Sequence, residues 1–171
     1  MPTTAGSSVI SRIAYVALGA NLGDPVATVT AAFDALTNIP DSRLDATSSL
    51  YRTAPVGLRN QPDFINAAAR LETRLDAPDL LEALFAIEAR FGRRRSVPNA
   101  PRTLDLDLLL HGDSVVATPR LTLPHPRLHE RAFVLAPLLE IAPEIMIPGR
   151  GSGAALLAAC ASQRVARLEY A

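Results

Sequence analysis

Apolar residues run without a charge over residues 13–18 and lead into Gly19-Ala20-Asn21-Leu22-Gly23. That pattern predicts a buried strand feeding a turn rich in positive-φ residues. Asp24 then Pro25 is a helix N-cap followed by the residue favoured at the first helical position. Val26, Val29, Ala32, Phe33 and Leu36 recur at helical spacing, and Asn38 and Pro40 close that helix. Residues 44–51 read as a second strand, 52–62 as a loop with Pro55, Gly57 and Pro62, and 64–73 as a third strand. Asp76-Ala77-Pro78-Asp79 opens a second helix that carries Leu80, Leu81, Leu84 and Ile87 and stops at Gly92. A basic loop over 93–102 precedes a fourth strand over 104–110. The order β-α-β-β-α-β predicts an α+β fold with a ferredoxin-like core, helices packed on one face of an antiparallel sheet.

The last third is less regular. Residues 115–117 read as a short strand, 119–126 as extended chain and 132–141 as a helix despite Pro137. Residues 153–161 form a short Ala-rich helix and 165–168 a final strand. The first 11 residues are small and polar, which predicts a disordered tail ahead of a single domain over 12–171.

A chain of 171 residues buries roughly 70% of its unfolded surface, enough for a core without disulfide or structural metal. Apolar residues make up 49% and charged residues 20%, which excludes a disordered chain. The 17 basic and 17 acidic residues cancel, which argues against a generic basic nucleic-acid or membrane-surface binder and leaves room for a local basic patch. All the basic residues are Arg. The absence of Lys removes a Walker A lysine, a Schiff-base lysine and a lysine general base. Any phosphate must therefore be handled by arginine and histidine. The single cysteine, Cys160, lies in an Ala/Leu run and reads as a small buried hydrophobe. With no signal-peptide pattern and no run of ~18 apolar residues, a soluble cytoplasmic protein is expected.

The strongest chemical signal is Arg102-Thr103-Leu104-Asp105-Leu106-Asp107-Leu108. On a strand, Asp105 and Asp107 share one face, with carboxylates roughly 6–7 Å apart, while the leucines pack the other. Such a pair suits magnesium, which takes a few carboxylate oxygens and completes its shell with water and phosphate. The bland alternative is a half-exposed strand with its acids in water. Arg93, Arg94, Arg95 and Arg102 precede the acids, and Arg120, His125, Arg127, His129 and Arg131 follow. Guanidinium groups bind phosphate bidentately and stay charged, although a solvated basic surface has the same composition. Phe64 and Asn66 share a strand face, with Thr53 before them and Phe133 after Arg131. Two rings and an amide can sandwich and edge-read a flat heterocycle; either ring could equally be core. Gly19-x-Asn21-x-Gly23 lacks dinucleotide-binding spacing and reads as turn chemistry.

Five blocks then fall into one pattern. They are Tyr15-Val-Ala-Leu-Gly-Ala-Asn-Leu-Gly23, Ser49-Leu-Tyr-Arg-Thr-Ala-Pro-Val-Gly57, Gln61-Pro-Asp-Phe-Ile-Asn-Ala67, Pro101-Arg-Thr-Leu-Asp-Leu-Asp-Leu-Leu109 and Leu123-Pro-His-Pro-Arg-Leu-His-Glu-Arg-Ala-Phe133. In order and spacing they resemble the 6-hydroxymethyl-7,8-dihydropterin pyrophosphokinases of folate biosynthesis. The resemblance implies a three-layer α/β/α sandwich around the antiparallel sheet. It also implies transfer of pyrophosphate from ATP to the pterin hydroxymethyl group, leaving AMP. It assigns two magnesium ions to Asp105 and Asp107. It assigns catalytic phosphate contacts to Arg93, Arg95 and Arg102, and further ATP contacts to Glu88, Arg120, His125 and Arg131. The pterin pocket falls on Thr53, Val56, Phe64, Asn66 and Phe133. A monomer with no nucleic-acid or membrane partner is implied. The chain departs from the family at Asn99-Ala100-Pro101-Arg102, where many members carry Trp, and at Phe64, where Tyr is common. Two rival readings are a nucleotidyl- or glycosyltransferase using Asp-x-Asp and a non-catalytic ferredoxin-like nucleotide-binding module.

Overall fold

The computed structural model describes residues 10–55, 60–92 and 103–169. Its elements run β1 (Arg12–Ala20), α1 (Pro25–Leu36), β2 (Ser42–Thr47), β3 (Tyr51–Thr53), β4 (Phe64–Thr73), α2 (Ala77–Arg90) and β5 (Asp105–His111). Short strands β6 (Val116–Ala117) and β7 (Thr122–Leu123) and a 3-10 turn (Leu128–Glu130) lead to α3 (Ala132–Ile141). The hairpin β8 (Met146–Ile147) and β9 (Gly151–Ser152), α4 (Gly153–Ala159) and β10 (Ala166–Arg167) complete the chain. The result is a mixed α/β fold on an antiparallel sheet, with strand order β10-β3-β4-β1-β5 and β2 also paired to β4.

Local chemistry sets the helix starts. Asp24 Oδ1 accepts from the Ala27 N–H at 3.1 Å, and Asp76 Oδ1 from the Asp79 N–H at 2.9 Å. Gly92, after α2, sits at φ +80°, a conformation that favours glycine.

The expected strand over 44–51 is two strands. β2 pairs with Ala69–Thr73 of β4 and β3 with Phe64–Asn66. Ser48 makes the break: its N–H donates to the Ala68 carbonyl at 2.9 Å while its Oγ accepts the Ala68 N–H at 2.8 Å. The hydroxyl thus takes the place of a backbone acceptor, and the chain turns without stranding a polar group.

Alternation along the strands divides the core in two. Val16 and Leu18 of β1 and Leu106 and Leu108 of β5 pack with Val29, Ala32 and Leu36 of α1 and Leu80, Leu84 and Ile87 of α2. Tyr15 and Ala17 turn the other way, toward Val134, Leu135 and Leu138 of α3 and Leu156 and Leu157 of α4. Helices α1 and α2 thus belong to the first cluster, and α3 and α4 to the second. In β5 the register slips between Tyr15↔Leu110 and Val16↔Leu108, so Leu109 is an extra bulged residue. The bulge allows Leu109 and Leu110 both to join the second cluster.

Helix α3 is fastened to the sheet by polar contacts. The Tyr51 hydroxyl donates to Glu140 Oε1 at 2.6 Å, and the Ser49 N–H and Oγ–H donate to Glu140 Oε2 at 2.9 and 3.0 Å. Arg70 donates to Asp45 at 2.7 Å and to the Ile141 carbonyl at 2.9 Å. Burial is opposed at Glu140 by these hydrogen bonds, which outweigh it and hold its carboxyl below the ordinary value. Burial, with the bond to Glu140, pushes Tyr51 up to about 12.

Candidate functional site

A cleft of about 1020 Å³ opens over β1, β4 and β5, walled by α3, the 125–131 segment and residues 162–165. Register fixes its floor. Gly19 of β1 lies opposite Asn66 of β4 on one side and Asp105 of β5 on the other. Ala17 lies opposite Asp107. Two strand spacings therefore separate Asn66 from Asp105, roughly 10 Å. The small residues at 17 and 19 leave that gap open. Gly19 belongs to β1 itself and not to the turn predicted for it; the turn begins after Ala20, with Gly23 at φ +63°.

Asn66 is only 5% exposed, and its Nδ2 donates to Thr53 Oγ1 at 2.8 Å. A Cβ at position 19 would stand 3.1 Å from Asn66 Oδ1, so the amide lies directly against bare Gly19 backbone. Phe64 and Phe133 both line the cleft. The Arg131 guanidinium carbon lies 5.5 Å from the Phe133 ring centroid, a cation–π geometry.

His125 reaches the cleft because its backbone N–H donates to the Leu109 carbonyl at 2.9 Å, extending the edge of β5. Its Nδ1 accepts the Arg127 N–H at 3.1 Å. That assigns the proton of the neutral ring to Nε2. Burial, with Arg131 and Arg127 beside it and only Asp105 opposing, pushes the imidazole down to about 4. At neutral pH it is an uncharged N–H donor. Burial also lowers the affinity of Arg131 for its proton, while Asp107 and Asp105 favour the charged form.

Asp105 and Asp107 line one face of the cleft, as their alternation on β5 requires. Among the described residues no group of three or more His, Cys, Asp and Glu encloses a metal. The carboxylate pair instead suits a hard divalent cation that takes its remaining ligands from water and phosphate.

Eight of the predicted residues thus meet around one cleft: Thr53, Phe64, Asn66, Asp105, Asp107, His125, Arg131 and Phe133. Val56, Arg93, Arg95 and Arg102 lie outside the described residues. Glu88 and Arg120 do not line the cleft. Glu88 is 2% exposed and accepts the Leu106 N–H at 2.7 Å, serving a backbone donor of edge strand β5. Arg120 pairs with Glu82 and lies 6.0 Å from the Phe85 ring centroid, both on α2. The wall formed by residues 162–165 had no signal in the sequence, since its contacts reach back more than 30 positions. No helix among the described residues is long and apolar enough to cross a membrane.

The family model for 7,8-dihydro-6-hydroxymethylpterin-pyrophosphokinase (HPPK) matches residues 15–143. The 2-amino-4-hydroxy-6-hydroxymethyldihydropteridine pyrophosphokinase of Pseudomonas aeruginosa is 46% identical over 160 residues, covering 94% of this chain and 98% of that protein. Its Haemophilus influenzae counterpart is 44% identical over 135 residues, covering 79% and 84%. A Plasmodium falciparum HPPK-DHPS crystal structure superposes with a TM-score of 0.71 at 15% identity, over 92% of this chain. This chain spans 46% of that longer one, and the likeness bears on fold alone. The family match and the relatives together establish that the chain belongs to the 7,8-dihydro-6-hydroxymethylpterin-pyrophosphokinase family.

Proposed function

We propose that the cleft over β1, β4 and β5 carries out the family's reaction. The chain is an ATP-dependent pyrophosphokinase of folate biosynthesis. It transfers pyrophosphate from ATP to 6-hydroxymethyl-7,8-dihydropterin, giving AMP and the pterin diphosphate. The observation that carries the site assignment is the register Asn66–Gly19–Asp105. It sets an amide for a heterocycle edge roughly 10 Å from a carboxylate pair, with glycine between them. A pterin read by Asn66 and Thr53 and held between Phe64 and Phe133 directs its hydroxymethyl group across Gly19 toward Asp105 and Asp107.

The hydroxyl oxygen forms a bond to the β-phosphorus and gives up its proton to solvent, and the bond from that phosphorus to the α–β bridging oxygen breaks, releasing AMP. The protein's part is positioning and charge neutralisation. Arg131, braced on the Phe133 ring, supplies charge, and neutral His125 donates through Nε2–H. Asp105 and Asp107 hold magnesium, two ions in our reading, which when bound supplies charge neutralisation of the triphosphate. Arg93, Arg95 and Arg102 take the phosphate contacts that the family resemblance assigns them, and Arg120, paired with Glu82 of α2, meets the nucleotide. Glu88 acts by fixing β5. The architecture is a ferredoxin-like three-layer α/β/α sandwich, supported by the two core clusters divided by the sheet. Residues 12–171 act as one domain and as a monomer.

Asp105→Asn and Asp107→Asn test the assignment. Each lowers kcat by at least about 100-fold, with far-UV circular dichroism and melting temperature retained. Near-full turnover in either variant contradicts the metal assignment.

A further inference from the structure

The family match ends at residue 143, yet the chain returns to the cleft beyond it. Between α4 and β10, residues 162–165 form part of the wall. Gln163 makes two hydrogen bonds there. Its Nε2 donates to the Glu130 carbonyl at 2.8 Å, and its Oε1 accepts the Ala132 N–H at 2.9 Å. Those groups stand immediately before and after Arg131, so one side-chain amide spans the peptide units on both sides of that arginine.

Helix α3 begins here with no side-chain cap of its own, and Arg131 as N-cap is extended at φ −125°, ψ 107°. The Ala132 N–H belongs to the first turn, where N–H groups have no intrahelical partner. Gln163 supplies the missing acceptor from 31 residues away. Its own backbone is anchored. The Gln163 N–H donates to the Cys160 carbonyl at 2.9 Å, β10 pairs with β3, and the Leu168 N–H donates to the Leu50 carbonyl at 2.8 Å.

We propose that Gln163 is a positioning residue: its amide brackets the backbone of Arg131 and sets the direction in which that guanidinium enters the cleft. The proposal rests on the reading of Arg131 as a nucleotide-binding group. Without the bracket, the 130–132 backbone regains freedom at an uncapped helix start, and the guanidinium loses its fixed place over Phe133.

A double-mutant cycle tests this, with Gln163→Met, Arg131→Met and the pair compared with the wild-type chain. Methionine keeps the length of glutamine and removes both hydrogen bonds. Gln163→Met alone lowers kcat/KM for ATP about 5-fold, the scale of one net hydrogen bond. It leaves the melting temperature within about 3 °C and speeds hydrogen exchange at the Ala132 amide. In the Arg131→Met background it costs nothing further. Additive losses, unchanged exchange at Ala132, or an Arg131→Met variant with wild-type kinetics would each overturn the proposal. If the wild-type chain releases no AMP with the pterin, the functional reading fails instead. The cycle is then scored on the dissociation constant of a non-hydrolysable ATP analogue, with the same pattern supporting or overturning the bracket.

Discussion

Gly19→Ala is a one-carbon change that probes the centre of the proposed site. The added Cβ would stand 3.1 Å from Asn66 Oδ1 and 3.9 Å from the Ile65 carbonyl. Ordinary van der Waals contact begins at 3.4 Å, so the amide oxygen must give by about 0.3 Å. It cannot give freely, because Asn66 Nδ2 is tied to Thr53 Oγ1 at 2.8 Å. The amide turns, and the edge it presents to a heterocycle turns with it. Crowding of this size costs about 1 kcal/mol. Alanine also returns about 0.5–1 kcal/mol by narrowing the unfolded ensemble, since Gly19 is not at positive φ. The two nearly cancel, so the melting temperature moves by less than about 3 °C. Misaligning one hydrogen bond of about 1 kcal/mol weakens pterin binding about 5-fold. Nucleotide affinity is unchanged, because among the described residues the new atom meets nothing on the Asp105 side. Titration calorimetry with 6-hydroxymethylpterin and, separately, an ATP analogue reads both constants. Unchanged pterin affinity at unchanged stability would refute the placement of Asn66 at the heterocycle edge. Equal weakening of both ligands with a large fall in melting temperature would make Gly19 merely structural.

Two further perturbations follow from charge. His125 is held at about 4 against an ordinary 6.5, so the folded state binds fewer protons than the unfolded one between those values. Its contribution is fully present above pH 6.5 and lost as pH falls toward 4, at most about 3 kcal/mol. His125→Asn, whose Oδ1 replaces Nδ1 as acceptor for the Arg127 N–H, flattens the stability profile over that window; denaturant titrations from pH 7 to 4 give the comparison, and parallel profiles would contradict the half-buried neutral imidazole. Glu140→Gln weakens three hydrogen bonds that fasten α3 to β3 and its approach and lowers stability by about 1–2 kcal/mol at pH 7. Because the Glu140 carboxyl titrates below its ordinary value, the gap between wild type and variant closes as pH falls through its folded pKa, and a gap independent of pH would contradict the charged clamp.

The sequence carried those features that depend on local pattern. β4 has the predicted bounds because turn residues flank an apolar run, and α3 forms across Pro137 because its apolar face has a partner in the second cluster. The shared face of Asp105 and Asp107 follows from a period of two. The break at Ser48 was not legible, since it depends on a hydroxyl finding the Ala68 N–H of another strand. The contacts of Glu88 with the Leu106 N–H and of Arg120 with Glu82 were not legible either, since they join residues 18 and 38 positions apart. The wall at residues 162–165 was hidden for a related reason. Gln163 matters through contacts over 31 and 33 positions, and nothing in its Ala-rich surroundings marks it.

Pyrophosphoryl transfer is tested most directly by following the phosphates. The chain is incubated with ATP and magnesium, with and without 6-hydroxymethyl-7,8-dihydropterin, and the nucleotides and pterins are separated by chromatography. AMP is expected only when the pterin is present, in equal amount to a pterin diphosphate. ADP, free pyrophosphate, or AMP formed without the pterin would contradict it.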